Sequence, residues 1–183
     1  MKIAVLVGSL RKNSFNRLLF NEILRKNIAD IEFIEAEIGK LPLYNQDLED
    51  NSPNEVKDFV NIIKNADGVL FITAEYNYSI PGVLKNGIDW GSRQFGERKH
   101  AFFEKPVGIM SASMGVFGGV RAQLHLRQVC VFLNTYTMAQ PEFILPSAHE
   151  KFDENGVLND EFSKRMLNKF LSSYTDWVEK FKA

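Results

Sequence analysis

Hydroxyl, amide and cationic side chains are concentrated in residues 8–16, GSLRKNSFN, which separate a short apolar run from a helical pattern. This first loop contains no carboxylate, and the side chains that could bind an anion are Ser9, Arg11, Ser14 and Asn16. A helix N-terminus presents free backbone N–H groups and a positive dipole end, and hydroxyls and a guanidinium add hydrogen bonds. The pattern predicts a phosphate-binding loop. The alternative is an ordinary N-cap by Ser14 beside solvated cations, which has most weight at Lys12.

Two common nucleotide-binding loops are absent from the sequence. Without G-x-x-x-x-G-K-[ST], a nucleoside triphosphatase is not favoured, and without G-x-G-x-x-G, a resident NAD of the Rossmann type is not favoured. Glu35 ends a predicted strand at the position of a ribose-binding acid. In the absence of the glycines we interpret it as a solvated strand end.

A second loop, residues 73–82, TAEYNYSIPG, follows a fully apolar run. Two tyrosines flank Asn77, and Pro81 suits the first turn of a following helix. Aromatic faces beside backbone N–H and C=O groups suit a flat heterocycle, because rings stack while the backbone binds the polar edge. The alternative is a tyrosine-rich turn packed on its own protein.

A third loop, residues 111–119, SASMGVFGG, has three glycines within five positions. Glycine lets the backbone approach a ligand closely. The same cluster also suits a flexible connection that needs positive φ angles, so it is a weak signal by itself.

The three loops together resemble one family. The segments GSLRKNSFN, AEYNYSIPGVLKNGIDW and SMGVFGGVRAQLHLRQ look like the signatures of NADPH-dependent FMN reductases, nearest the bacterial quinone, chromate and azo-compound reductases. The resemblance runs to about residue 145 and departs from the family at Ala74, where proline is usual. It implies that the first loop binds the FMN phosphate, that the second borders the isoalloxazine ring and that the third closes the pocket. The implied cofactor-binding residues are Ser9, Leu10, Arg11, Ser14, Phe15 and Asn16, then Glu75, Tyr76, Asn77 and Tyr78, and finally Ser111, Ser113 and Gly115.

The resemblance also implies an activity. An FMN enzyme of this kind passes hydride from NADPH or NADH to the flavin N5 and then two electrons to small acceptors, namely quinones, azo compounds, chromate or free flavin. The chemistry belongs to the cofactor, so no catalytic acid or base is predicted. A homodimer or homotetramer is implied as well.

Two other functions remain open. A flavodoxin-type electron carrier would typically be strongly acidic, whereas the net charge is −1, and the usual T-x-T-G-x-T loop is missing. A flavin-binding sensor without a substrate is not distinguished from an enzyme by the sequence.

Short apolar runs alternate with amphipathic segments, and this pattern predicts the elements that position the loops. The apolar runs are residues 3–7, 69–73, 107–112 and 143–145, and residues 31–36 alternate like a half-exposed strand. Fully apolar runs suit central parallel strands, with helices between them. The prediction is a flavodoxin-like, doubly wound α/β fold with five parallel strands in the order 2-1-3-4-5 and helices on both faces. Ligands bind beyond the carboxyl ends of such strands, where the three loops would meet.

Helices are predicted over residues 15–27, 53–65 and 160–182, while residues 119–133 suit either a helix or a strand. In the last helix a spacing of four predicts one aromatic-rich face. Its members are Phe162, Met166, Phe170, Tyr174, Trp177 and Phe181.

The composition sets broader limits. The 183 residues fit one domain, residues 1–183, and the balanced charge predicts no nucleic-acid or membrane partner. Cys130 lies in an apolar run and is predicted to be a core residue, and the three histidines lack ligand spacing, so no metal is predicted. No signal-peptide pattern and no run approaching about 20 apolar residues is found, so a cytoplasmic location is expected.

Overall fold

A computed structural model describes residues 1–182 as a parallel sheet covered by helices on both faces. The strands are β1 (Lys2–Gly8), β2 (Glu32–Glu35), β3 (Gly68–Thr73), β4 (Pro106–Ala112), β5 (Tyr136–Thr137) and β6 (Phe143–Leu145). The helices are α1 (Phe15–Arg25), α2 (Asn54–Lys64), α3 (Gly82–Gly91), α4 (Val120–Phe132) and α5 (Glu161–Glu179). Ala183, the last residue of the predicted domain, lies outside the described residues.

The strand order is β2-β1-β3-β4-β5, which confirms the predicted order and fold class. The predicted fifth strand is divided into two pieces along one edge of β4. The piece β5 pairs with Pro106 and Val107, and β6 pairs in parallel with Met110 to Ala112. The sequence predicted only β6, because β5 is two residues long and only partly buried.

The central strands are buried on both faces, as their continuous apolar runs predicted. Every residue of β3 and β4 is buried, and all of β1 except Lys2. One apolar core lies on each side of the sheet. Because helices cover both faces of the sheet, only the ends of the strands are open to a ligand. In sheets of this kind ligands bind at the loops that follow the carboxyl ends of the strands.

The segment that suited either a helix or a strand is helical, because α4 continues to Phe132. Its inner side buries Ala122, Leu126 and Cys130. Cys130 is therefore a core residue, as predicted, and burial raises the pKa of its thiol.

The predicted aromatic face of α5 is only partly correct. Phe170 and Tyr174 are buried, but the side chain of Phe162 is 61% exposed. A spacing of four advances about 40° beyond a full helical turn at each step, so such a stripe winds away from the sheet. The buried face instead follows Ser163, Leu167, Phe170, Leu171, Tyr174 and Val178.

Tyr174 lies against two strand glycines. A Cβ at Gly68 would lie 2.8 Å from the Tyr174 hydroxyl, and a Cβ at Gly108 would lie 2.9 Å from its ring. The hydroxyl is buried without a hydrogen-bond partner among residues 1–182, and burial raises its pKa. The two glycines thus leave the space that this ring occupies.

Among the described helices, none combines the length and the apolar character that crossing a membrane requires.

Candidate functional site

The first loop presents free backbone donors at the start of α1. Ser14 is the N-cap, and its hydroxyl accepts a hydrogen bond of 3.0 Å from the amide of Arg17. Within residues 1–182, the amides of Arg11, Lys12, Phe15 and Asn16 have no hydrogen-bond partner. The hydroxyl hydrogen of Ser14 also remains available to a ligand. These donors form a cradle of the kind that binds a phosphate.

Arg11 is exposed beside this cradle. Its guanidinium carbon lies 5.5 Å from the ring centroid of Phe15, which in turn stacks on Phe152 at 6.2 Å. No ion pair of the described residues includes Arg11. Its charge is therefore available to an anion in the cradle.

Asn16 has a different position from the other polar residues of the loop. Its side chain is buried, donates a 3.0 Å hydrogen bond to the carbonyl of Ala112 and accepts one of 3.0 Å from the amide of Ala112. The side chain thus joins the start of α1 to the end of β4. It positions the first loop, and its backbone amide is the one group of Asn16 described above as a free donor.

The second loop contains a tight turn. Tyr76 and Ser79 exchange two backbone hydrogen bonds of 3.0 Å, and between them Asn77 and Tyr78 have φ angles of 51° and 66°. Two successive positive φ angles define a type I′ turn. A bulky residue such as Tyr78 rarely adopts this conformation, and strain of this kind is concentrated at functional sites. The amides of Asn77 and Tyr78 have no partner within residues 1–182.

Glu75 fastens the second loop to α4. Its carboxylate accepts hydrogen bonds from the amides of Arg121 and Ala122, at 3.0 and 3.3 Å, and from the Arg121 guanidinium at 3.2 Å. A carboxylate at a helix N-terminus is stabilised by the helix dipole. The carboxylate of Glu75 is directed to α4 and anchors the turn, and its place beside the ring of a ligand stays a prediction.

Arg121 was not among the predicted site residues. Its guanidinium carbon lies 4.2 Å from the ring centroid of Tyr78 and 4.2 Å from that of Phe117. It therefore connects the second loop with the third through two cation–π contacts. The position of Arg121 two residues after the glycine cluster, in the first turn of α4, was the signal that could have indicated it.

The third loop has one buried polar side chain, that of Ser111. The Ser111 hydroxyl is fully buried, donates to the carbonyl of Gly118 at 2.7 Å and accepts from Gln123 at 2.8 Å. Ser111 therefore supports the loop from inside, and its contact with the cofactor stays a prediction. A Cβ built on Gly115 would meet only the Ser113 hydroxyl, at 3.7 Å, so this part of the loop borders open space.

Exposed apolar side chains are concentrated on the three loops. Six of the fourteen large apolar or aromatic side chains that are exposed lie there, namely Leu10, Tyr76, Tyr78, Met114, Val116 and Phe117. Exposed apolar side chains on loops that leave the same edge of a sheet indicate a candidate binding site. Free backbone donors and exposed aromatic rings at one edge of the sheet fit a ligand with a phosphate and a flat heterocycle.

A cleft of about 480 Å³ opens between the first loop and the end of β2. Glu35 lines it and forms an ion pair with Arg17, which raises the pKa of the Arg17 guanidinium through a hydrogen bond. Glu35 therefore forms an ion pair, whereas the sequence predicted a solvated strand end. Among residues 1–182, no group of three His, Cys, Asp or Glu side chains could hold a metal ion.

Comparison with known proteins agrees with this geometry. The model of the NADPH-dependent FMN reductase family matches residues 1–150. A 2-hydroxy-1,4-benzoquinone reductase from Burkholderia sp is 41% identical over 97% of this chain and 96% of its own, and an NAD(P)H-dependent FMN reductase from Pseudomonas aeruginosa is 38% identical over 100% and 97%. A structure of a flavoenzyme NAD(P)H:(acceptor) oxidoreductase from Paracoccus denitrificans has a TM-score of 0.90 at 36% identity, covering 98% of both chains.

Proposed function

The chain belongs to the NADPH-dependent FMN reductase family, and from this premise we propose that it transfers electrons from NAD(P)H through FMN to quinones. The observation that carries the proposal is the meeting of the free amides of the first loop with the exposed aromatic rings of the other two. FMN has the same two parts, an anionic phosphate and a flat ring system.

The first loop would bind the phosphate of FMN. The free amides of Arg11, Lys12 and Phe15 donate to its oxygens, and the Ser14 hydroxyl adds a further donor. Arg11 supplies the positive charge. Ser9 links this loop to the second, because its hydroxyl lies 3.2 Å from that of Tyr76.

The second and third loops would hold the flat ring. The free amides of Asn77 and Tyr78 donate to its polar edge, while the rings of Tyr76, Tyr78 and Phe117 cover apolar surface and exclude water. When bound, FMN supplies the redox chemistry by taking a hydride from NAD(P)H and passing two electrons to the acceptor. The protein binds, orients and shields, and no side chain is assigned as an acid or base.

A flavodoxin-type electron carrier or a flavin-binding sensor is the alternative. A flavodoxin from Pseudomonas aeruginosa has a TM-score of 0.57 at 17% identity, a likeness that concerns the fold alone. The relatives above 35% identity carry the names of reductases, which favours the enzyme.

The proposal includes a homodimer or homotetramer in the cytoplasm, where NAD(P)H is supplied. An outward face of α4 supports the oligomer, because Leu124 and Val131 on it are 54% and 81% exposed. Replacement of Val131 by Asp should dissociate the oligomer in sedimentation velocity. Unchanged sedimentation would exclude this face as the contact.

The activity itself can be tested with purified protein. We expect flavin absorption bands, release of FMN on denaturation, and oxidation of NADPH or NADH only when an acceptor such as 1,4-benzoquinone is present. Binding of FMN without this turnover would favour the sensor, and stoichiometric FAD would contradict the proposed cofactor.

A further inference from the structure

The cleft between the first loop and the end of β2 adjoins the second loop. It has a volume of about 480 Å³, and we name it the β2 cleft. Ser9 lines it, and the hydroxyl of Ser9 also lies 3.2 Å from that of Tyr76. Under the proposed function, on which this inference rests, the flavin ring lies beside Tyr76. A dinucleotide that places its nicotinamide over that ring can extend its adenosine end into the β2 cleft.

Glu35 lies where parallel α/β folds distinguish the two nicotinamide dinucleotides. It ends β2, is paired in register with Val5 of β1, and lines the cleft opposite the first loop. In dinucleotide-binding sheets an acid at this position accepts a hydrogen bond from the ribose 2′-hydroxyl of NAD, whereas a nearby cation accommodates the 2′-phosphate of NADP. The charges around Glu35 therefore indicate which dinucleotide the cleft suits.

Arg17 neutralises Glu35. Its two terminal guanidinium nitrogens donate to the two carboxylate oxygens of Glu35, one of them at 2.6 Å, and both side chains are half-buried. Such a bidentate pair fixes the geometry of its two members. Because the charge of the carboxylate is balanced, Glu35 does not repel a phosphate as a free carboxylate would.

The charges of the β2 cleft that have no partner are positive. Its other acid, Glu37, is paired with Lys40 at 2.5 Å. No ion pair of residues 1–182 includes Arg11 or Lys12, and both side chains are exposed at the cleft. Arg11 is already assigned to the phosphate of FMN, so Lys12 is the cation that remains for a second phosphate.

An apolar surface lies beside these cations. Leu10 is 60% exposed and lines the cleft, and its side chain covers Gly39, where a Cβ would lie 2.9 Å from Leu10 Cδ2. An apolar surface next to a positive charge suits a purine that carries a phosphorylated ribose. The two features match the adenosine 2′-phosphate of NADPH, the group that NADH lacks.

We propose that Lys12 determines a preference for NADPH over NADH by binding the 2′-phosphate in the β2 cleft. Arg17 is a positioning residue, because it acts through Glu35 and keeps that carboxylate from repelling the phosphate. Neither side chain takes part in the transfer of electrons, so the expected effects are on the choice of co-substrate.

The first test is the ratio of kcat/KM for NADPH to kcat/KM for NADH, measured on FMN-loaded protein with 1,4-benzoquinone as the acceptor. Within one variant this ratio is independent of the fraction of protein that carries FMN. Lys12→Gln should lower it by about fivefold, the upper range for an exposed ion pair. Lys169→Gln, which removes an exposed lysine of α5, should leave it unchanged. An unchanged ratio in Lys12→Gln would overturn the proposal.

The two members of the ion pair should act in opposite directions. Arg17→Gln leaves the Glu35 carboxylate unbalanced and should lower the ratio, whereas Glu35→Gln frees the guanidinium and should raise it. Loss of a merely structural contact would change the ratio in the same direction in both variants, or in neither. Either of those results would contradict the proposed role of Arg17.

A binding measurement separates this inference from the proposed function. In calorimetric titration of the purified protein, adenosine 2′,5′-bisphosphate should bind more tightly than adenosine 5′-monophosphate, and Lys12→Gln should reduce the difference. Quinone turnover with equal binding of the two nucleotides would overturn the assignment of the β2 cleft alone. Tighter binding of the bisphosphate without quinone turnover would support the cleft and contradict the proposed function.

Discussion

The carboxylate of Glu75 accepts hydrogen bonds from both the backbone amide and the guanidinium of Arg121, at 3.0 and 3.2 Å. Through this pair the turn that carries Tyr76 and Tyr78 is attached to the first turn of α4. The same guanidinium lies on the rings of Tyr78 and Phe117. The second and third loops therefore form one connected surface.

Replacing Glu75 with Ala should weaken FMN binding by about tenfold and lower the free energy of unfolding by about 1.5–3 kcal/mol, because three charge-assisted hydrogen bonds are lost. Glu75→Gln keeps an acceptor for the helix amides and should have an intermediate effect. Quenching of FMN fluorescence and urea unfolding measure the two quantities. Glu179→Ala, at the exposed end of α5, is the control. If Glu75→Ala binds FMN as tightly as the unmodified protein does, Glu75 does not anchor the second loop for FMN binding.

Asn16→Ala should destabilise the protein by about 2 kcal/mol, because the amide and the carbonyl of Ala112 each lose a partner. FMN binding should also weaken, since the start of α1 is no longer tied to β4. Urea unfolding and calorimetric titration with FMN test both effects. Asn13→Ala, on the exposed part of the same loop, should change stability much less. If both variants behave alike, the side chain of Asn16 does not position the loop.

Arg11→Ala should weaken FMN binding by about tenfold with no loss of fold, because Arg11 is exposed and its charge has no ion-pair partner to release. The measurement is FMN titration at low and high salt, and the difference between variants should shrink as salt rises. Lys12→Ala is the matched control and should have a smaller effect. Affinities that do not differ between Arg11→Ala and the unmodified protein would leave Arg11 a solvated cation.

Tyr174→Phe should leave stability unchanged or raise it by up to about 1 kcal/mol, because it removes a buried hydroxyl that has no partner. The ring itself, which fills the space above Gly68 and Gly108, is retained. Tyr174→Ala, which empties that space, should cost about 3–5 kcal/mol. Urea unfolding measures the stability of both variants. A clear loss of stability in Tyr174→Phe would indicate that the hydroxyl has a hydrogen-bond partner in the folded protein.

His100 should make stability depend on pH on the acid side of neutrality. Burial and Arg93 lower the pKa of His100 in the folded state, so the unfolded chain, with an ordinary value of about 6.5, binds more protons there. The contribution is fully present above about pH 6.5 and is lost as the pH falls toward the folded-state pKa. Unfolding measured between about pH 7.5 and about pH 5 should show a shallower pH dependence for His100→Gln than for His149→Gln. Equal pH dependence of the free energy of unfolding in the two variants would contradict a lowered pKa of His100 in the folded protein.

Sequence patterns predicted the fold well because continuous apolar runs such as residues 69–73 favour one structure, a strand covered on both faces. They did not predict β5, Tyr136–Thr137. These two residues have no apolar pattern and form a strand because their backbone pairs with β4. Sequence patterns also could not give the protein partners of the polar side chains at the candidate site. Ser111 bonds to Gly118 and Asn16 bonds to Ala112, and the second of these pairs joins elements that are far apart in the sequence.

The three loops are joined to one another by contacts between their own residues. Ser9 lies within hydrogen-bond distance of Tyr76, the side chain of Asn16 is bonded to Ala112, and the guanidinium of Arg121 lies on the rings of Tyr78 and Phe117. A site built in this way loses little conformational entropy on binding, because the rotations it would have to give up are already restricted. Ordering of the loops therefore takes little away from the favourable free energy of the contacts with FMN. For this reason, tight binding does not require an extensive interface.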